Sequence, residues 1–560
     1  MSKPLDTDID QALALVVDAN PSSRRTLVNM LREFGVKRIE QAVRPQDARG
    51  MLEIRPFDIV LCDYHFPGEG MSGQELMDDL RQSGILPLHT VVVMISGEAD
   101  YGHVAEAAEV ALDAYLLKPH TAEALRVRLT QARERKRALA DVFALIADKQ
   151  FQQAAELAQA RADERGIAWL QAARIAADLW LRLGRPADSA RLLEAVVANG
   201  ALPWARLGLA RAQTEAGSVF QARRTLEGLI GDQPGYTDAY DVMGRVQFEQ
   251  GDTAAAIATL RQASKLTPNS VARLVKLGLL QFYFGDVKEA AIALMQAVKL
   301  GIASKVFDLQ GLTLLATIQF DRGDARGLAL ALNMLRRSRA QAPQSARLRR
   351  FEAVVSIFLA LLERRVVEAV AEVRGLLAEI DAPDFEFEAA CNLMMVLARL
   401  DSSELHLAEL PEKVAQLGAR FAVSRTTCDL LCATVRARPE LMDAVRDEFE
   451  RINGIAEQAV ARTVAGEPAA AASILLSAAE RSLNAKLMDL AMQTVRRHGS
   501  AIPQADALLA RLQHLHDTYR SYGAQVRIAR IDDARSLQAA ARPDTVVPGG
   551  DAAAAGTVAP

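Results

Sequence analysis

Four positions in the first quarter of the chain together suggest a chemistry: Asp18, Asp63, Ser96 and the dipeptide Lys118-Pro119. Each follows a short apolar run. Two carboxylates brought close together can share a hard cation, which prefers oxygen ligands. A hydroxyl and an ammonium beside them complete a cradle for an anion. Phosphoryl transfer to an aspartate needs such a set: a nucleophile, neutralisation of the transferred charge, and positioning. A single aspartate at a strand end is more often only a turn or helix cap, so the combination carries the reading and no one residue does.

The elements that must position these residues follow from the apolar pattern. Runs at 13–17, 36–41, 57–62, 90–95 and 114–117 are short, β-branched and apolar on both faces, as strands of a covered parallel sheet must be. Helical periodicity lies between and after them, at about 21–34, 45–54, 72–83, 99–109 and 121–137. Five strand–helix units predict a doubly wound, flavodoxin-like α/β domain. In such a sheet, chemistry gathers at the carboxyl ends of the strands, where the four positions stand.

The segments VVDANP, IVLCDYHFPGEGMSGQEL, VVVMISGEA and AYLLKP resemble a response-regulator receiver domain, over residues 11–137. That resemblance implies roles. Asp63 would be the phospho-acceptor, Asp18 an acidic-pocket member, Ser96 the switch hydroxyl, Tyr115 the switch aromatic and Lys118 the phosphate-pairing lysine. Asp18, Asp63 and the His65 backbone carbonyl would hold magnesium, and the Lys118-Pro119 bond would be cis. Two departures stand out. The family normally carries two consecutive acids after the first strand, the second a direct magnesium ligand, and here the second position is Ala19. The loop after Asp63, PGEGMSG, is two residues longer than the common form and carries Gly68, Gly70 and Gly73. The expected consequence is weak magnesium binding.

Beyond residue 137 the strand signal disappears and helical periodicity continues to about 540. Gly217, Gly251 and Gly285 recur every 34 residues, since 251 − 217 and 285 − 251 are both 34. Ala222/Ala256/Ala290, Leu226/Leu260/Leu294 and Pro234/Pro268 keep the same phase. This resembles the tetratricopeptide repeat (TPR), and each position has a steric reason. Ala210, Gly244 and Gly278 let the first helix approach the second, the turn glycines supply φ > 0, and the prolines stop the second helix. Weaker copies flank the three repeats, around Gly184, Gly323, Arg364–Leu376 and Gly466.

Such a stack presents the first helix of each pair to a concave face. Trp204, Arg211, Arg245, Phe248 and Phe282, with Tyr283 adjacent, are expected to line a peptide-binding groove, the residue types that dominate binding hot spots. The competing reading is that some of these aromatics pack against the next repeat.

Composition excludes much else. The chain has 560 residues, net charge −4 from 66 basic and 70 acidic side chains, and only four cysteines. Nothing in that balance draws it to nucleic acid or a membrane, and the cysteines cannot form a disulfide framework. Cys428 and Cys432 read as buried thiols, and neither His498 nor the His514/His516 pair gives a metal or phosphotransfer pattern. The expected organisation is a disordered 1–10, a receiver at 11–137, TPR repeats at 138–343, divergent TPR-like hairpins at 344–540 and a disordered tail at 541–560. The resemblance implies a cytoplasmic two-component response regulator, not an enzyme. A sensor histidine kinase or phosphotransfer protein would phosphorylate Asp63, and phosphorylation would control a protein or peptide partner held by the TPR scaffold. The rival is a pseudo-receiver that docks partners without phosphorylation. An enzyme hidden at 344–540 finds no matched acid/base or metal set.

Overall fold

The computed structural model describes residues 8–67, 72–73, 76–77, 80, 85–97, 113–268, 270–301, 307–400 and 410–523. Five parallel strands, β1 (Leu13–Val17), β2 (Arg38–Ala42), β3 (Ile59–Asp63), β4 (Val91–Ser96) and β5 (Ala114–Leu117), form one sheet in the order β2-β1-β3-β4-β5. Residue parity explains why it is covered on both sides. Ala14, Val16, Ile59, Leu61, Val93 and Ile95 pack on one face with Leu27, Leu31, Leu125 and Leu129, from the helices Pro21–Glu33 and Ala122–Arg137. Leu13, Leu15, Val17, Val60, Cys62, Val92 and Met94 pack on the other, with Ala48 and Leu52 of the helix Pro45–Ile54. Successive side chains alternate across a strand, so a continuous apolar run feeds two cores at once.

The second strand begins later than the expected 36–41. Val36 is buried, but its N–H bonds the carbonyl of Leu31 while the Gly35 N–H bonds that of Arg32. Gly35, at φ 97°, closes the preceding helix in the left-handed conformation, and Val36 serves that cap instead of the ladder. The expected helix at 99–109, most of the one at 72–83, Gly68, Gly70, residues 1–7 and the tail lie outside the described residues. Residues 8–10, expected to be disordered, form a turn with Asp10 paired to Lys37 at 2.9 Å.

The described residues divide into two compact units, 8–185 and 186–523. After its sheet the first unit carries the helices Ala140–Ala147, Phe151–Asp163 and Trp169–Arg182. The second unit is helical throughout its described residues. In its central pairs, a Cβ on Gly278 would stand only 2.6 Å from Leu294 Cγ and force a shift at the helix crossing, while one on Gly244 would stand 3.0 Å from Leu260 Cγ, a tight fit. Ala256 and Ala290 are fully buried across from them. The turn glycines differ. Gly251 has φ 82°, as expected, but Gly285 has φ −121°, and a Cβ there would sit tightly, 3.2 and 3.3 Å from Gln281 Cα and Ile257 Cδ1. The pattern of paired helices continues through Ala346–Leu362 with Val366–Leu377 and Pro439–Val464 with Pro468–Ser482.

The aromatic groove is corrected by burial. Phe248, Phe282 and Tyr283 are 2%, 4% and 5% exposed and belong to the repeat core. Phe282 meets Tyr283 edge-on at 5.3 Å, and Phe248 meets Phe284 at 5.9 Å. In the helix Val271–Phe284 every residue from Arg273 to Tyr283 is buried. A helix enclosed on all sides has no open face for periodicity to identify.

Candidate functional site

The parallel register brings the sequence-selected residues together. Asp63, the last residue of β3, is opposite Ile95, and Ser96, the last of β4, is opposite Leu117. Asp18 follows β1 and Lys118 follows β5. Lys118 Nζ donates to Asp63 Oδ2 at 2.7 Å and to Asp18 Oδ2 at 3.2 Å, so one ammonium spans two carboxylates. Lys118 N–H bonds the Ser96 carbonyl at 2.7 Å, and the Lys118-Pro119 peptide is cis. Ser96 is buried, and Tyr115 packs partly buried on the core face that also receives Ala19 and Tyr64.

Gly73 lies close against Asp63. Gly73 N–H bonds the Tyr64 carbonyl at 2.8 Å, and any Cβ at Gly73 would collide with the Asp63 carbonyl oxygen. The third glycine of the long loop is thus a close-approach position. His65 N–H lies 3.5 Å from Asp63 Oδ1, and its side chain is exposed.

Asp18 is fully buried and held from several sides, which sequence reasoning missed. Its Oδ1 accepts from Asn20 N–H at 2.7 Å, and its Oδ2 from the Ser23 hydroxyl at 2.5 Å as well as from Lys118. Arg24 Nη1 donates to its backbone carbonyl at 2.7 Å. Asn20 also caps the helix Pro21–Glu33 through Ser22 and Ser23 N–H, and asparagine before an N1 proline was a readable signal for that cap. Nothing in the spacing marked Ser23.

For magnesium, the carboxylate donors are of the right kind, hard oxygens, but few: Asp63, with Asp18 already engaged and Ala19 offering none. Among the described residues no group of three or more His, Cys, Asp or Glu side chains is arranged to hold a metal.

The electrostatics follow from two negative groups around one positive one. Burial, together with the Asp18 charge, pushes the Asp63 carboxyl above the usual carboxylate range, although Lys118 offsets part of this. Burial opposes the charge on Lys118, but Asp63 and Asp18 outweigh it and hold the ammonium above its ordinary range. The two shifts share one cause: each group's charge is opposed by burial and supported by its partner across the 2.7 Å contact.

A second polar cluster lies in the same unit. Asp113, immediately before β5, accepts from Val92 N–H at 2.9 Å and from Gln171 Nε2 at 3.2 Å, and pairs with Lys136 Nζ at 3.1 Å. Lys136 is buried and also donates to the Leu88 carbonyl at 2.5 Å. Arg135 holds the Asp113 carbonyl at 2.7 Å. Gln171 belongs to Trp169–Arg182, so the strand carrying Tyr115 and leading to Lys118 is tied to a helix beyond the α/β domain.

In the repeats, the remaining expected groove residues are half-buried and charged contacts dominate. Arg245 pairs with Glu215 at 2.5 Å and Glu249 at 2.9 Å, and Arg273 pairs with Asp241 at 2.8 Å. Trp204 and Arg211 are partly exposed. Burial opposes ionisation of Asp241, yet Arg273 and Lys276, with Arg211, hold its carboxyl below the usual range. Cys428 and Cys432 are buried free thiols, as expected.

The family of the response regulator receiver domain matches residues 14–130, and the tetratricopeptide repeat family matches residues 238–270. Chemotaxis protein CheY-3 of Vibrio cholerae serotype O1 is 35% identical over 121 residues, 22% of this chain and 91% of that protein. Chemotaxis protein CheY of Pseudomonas aeruginosa is 32% identical over 121 residues, 22% of this chain and 95% of that protein. Among solved structures, a thermophilic TPR protein of Thermus thermophilus is 23% identical, covering 33% of this chain and 98% of its own, with a TM-score of 0.27. A tetratricopeptide repeat protein of Parabacteroides merdae is 13% identical, covering 50% and 99%, with a TM-score of 0.34.

Proposed function

Because this chain belongs to the response-regulator receiver family and carries tetratricopeptide repeats behind its receiver, we propose that phosphorylation of Asp63 controls protein–protein interaction through the repeat scaffold. The observation that carries this reading is the Lys118 ammonium set 2.7 Å from Asp63 Oδ2, with the Ser96 strand end alongside. A sensor histidine kinase or phosphotransfer protein supplies the phosphoryl group. Asp63 attacks phosphorus through a carboxylate oxygen, the bond to the donor breaks, and the donor leaves with its electron pair. Lys118 and Ser96 then pair with the new phosphoryl oxygens. Magnesium, held by Asp63 and the His65 carbonyl and weakly because Ala19 contributes no charge, would neutralise the transferred group.

The phosphoryl group brings about −2 of charge to a site that previously held one ammonium between two carboxylates. Lys118 must redistribute its bonds, and β5 connects it through Tyr115 to Asp113 and Gln171. That connection is the route by which the adjoining helices would sense the change. Trp204, Arg211 and Arg245 remain the candidate partner contacts, one aromatic beside two arginines. The receiver and repeat modules are signalling and scaffold folds, and we assign no further catalysis to the chain.

The second reading, a pseudo-receiver adaptor, is favoured by Ala19 and by the engagement of Asp18. One experiment separates the two. Full-length protein is incubated with acetyl phosphate and magnesium and its intact mass is measured, alongside Asp63→Asn. An acid-labile addition in the wild type that is absent from the variant supports the switch. An unmodified wild type supports the adaptor.

A further inference from the structure

Asp18 reaches its buried position with a complete set of partners, and one of them is peculiar in its placement. Ser23 is the third residue of the helix Pro21–Glu33, and its backbone N–H is already capped by Asn20 Oδ1 at 3.2 Å. Its hydroxyl is therefore not required by the helix, and it donates to Asp18 Oδ2 at 2.5 Å, the length of a charge-assisted bond. Each carboxylate oxygen has about two lone-pair sites. On Oδ2, the oxygen that faces the pocket, both are used, one by Ser23 and one by Lys118 at 3.2 Å. Oδ1 is drawn back to Asn20 N–H, and Arg24 fixes the backbone carbonyl, so the carboxylate cannot rotate to present a different oxygen.

We infer that Ser23 is a positioning residue that withholds Asp18 from divalent cations, so that the acid pocket is bridged by the Lys118 ammonium instead of being shared with a metal. The inference rests on reading this pocket as the phosphoryl site, and it goes beyond the effect of Ala19. Ala19 removes a ligand, whereas Ser23 keeps the remaining neighbouring acid from serving directly or through a held water. The two devices act on different atoms and their removal should combine.

The test uses the full chain without any phosphoryl donor, titrated with Mn2+ as the probe and read by calorimetry. Ser23→Val and Ser23→Thr have the same shape and differ in the hydroxyl. Ser23→Val is expected to bind Mn2+ on the order of fivefold more tightly than the wild type, the factor matching one lost hydrogen bond to Asp18. Ser23→Thr should return wild-type affinity. Ser23→Ala provides a second hydroxyl-free variant should valine disturb the helix start, with circular dichroism confirming the fold. Equal affinities for the valine and threonine variants, or weaker binding without the hydroxyl, would overturn the role. Because the titration contains no phosphoryl donor, its failure is distinguishable from a failure of Asp63 to be phosphorylated.

Discussion

Of the places where one cation faces two carboxylates, the pocket at Lys118 and the joint at Arg347 are built for opposite ends. In the receiver, Lys118 reaches Asp63 and Asp18 with one bond each, at 2.7 and 3.2 Å, and its side chain is 27% exposed. In the repeats, Arg347 grips Glu388 with two bonds, at 2.7 and 2.9 Å, reaches Asp308 at 2.6 Å, and lies over the Phe351 ring at 4.7 Å. Beside it Gln310 and Asn392 exchange amide bonds at 2.9 and 2.8 Å. The charge count is the same. The guanidinium is planar and forked, so its three bonds through Nε and Nη2 are held in a fixed geometry, while the ammonium is a point charge that can change partners. A lysine suits a site that must accept a new anion, and an arginine suits a joint that must not move.

The largest effect should come from the packing around the repeat joint. Phe282→Ala removes a fully enclosed ring and should destabilise the repeat unit by about 3–5 kcal/mol in denaturant unfolding. A loss below 1 kcal/mol, with weakened partner capture, would restore the open-groove reading.

The comparison itself is tested by matched truncations. Arg347→Ala leaves Asp308 and Glu388 facing one another and should cost about 3 kcal/mol, near the lower end for a broken buried pair because the arginine is partly exposed. Lys118→Ala leaves Asp18 and Asp63 facing one another but breaks two bonds and not three, so it should cost less than Arg347→Ala and yet abolish most labelling of Asp63. Equal stability losses would mean that Lys118 is as structural as Arg347.

Acidification should separate the regions by pH. Asp63 is raised in the fold, so its reactive carboxylate is depleted as pH falls through a value above the ordinary carboxylate range. Labelling should then drop about tenfold per further unit. Asp241 is lowered, so its pairing with Arg273 contributes stability fully above the unfolded value of about 3.9 and loses it only as pH falls through the lower folded value. Labelling measured against a helical signal across an acid titration should show the receiver failing first. Coincident transitions would contradict it.

The smallest effect is expected at Ala19. Ala19→Asp should tighten magnesium binding severalfold and speed labelling, since the new carboxylate adds charge beside Asp63. Unchanged affinity in a magnesium titration would show that another oxygen already fills that place.

Much of this is legible in the residue order alone. Asp63, Ser96 and Lys118 were found because strand ends converge in a parallel sheet, a property of topology that apolar runs announce. The turn at Gly251 and the crossing at Gly244 were readable because a 34-residue period repeats each steric demand. Val36 misled because its burial serves a helix cap, and apolar character does not say which neighbour buries it. Phe282 and Tyr283 misled for a related reason, since an enclosed helix presents no polar face against which a groove could be recognised.

The sequence by itself determined the domain types, the order of strands and helices, and the residues placed at the strand ends, because these depend on local periodicity and on steric rules that act within a few residues. Tertiary structure alone decided that Ser23 occupies Asp18, that Gln171 joins Asp113, and that Arg347 joins Asp308 to Glu388. Apart from the five-residue reach of Ser23, these pairs are separated by tens of residues. Polar side chains choose partners by distance and direction within the folded chain, and neither quantity is carried by residue type or spacing.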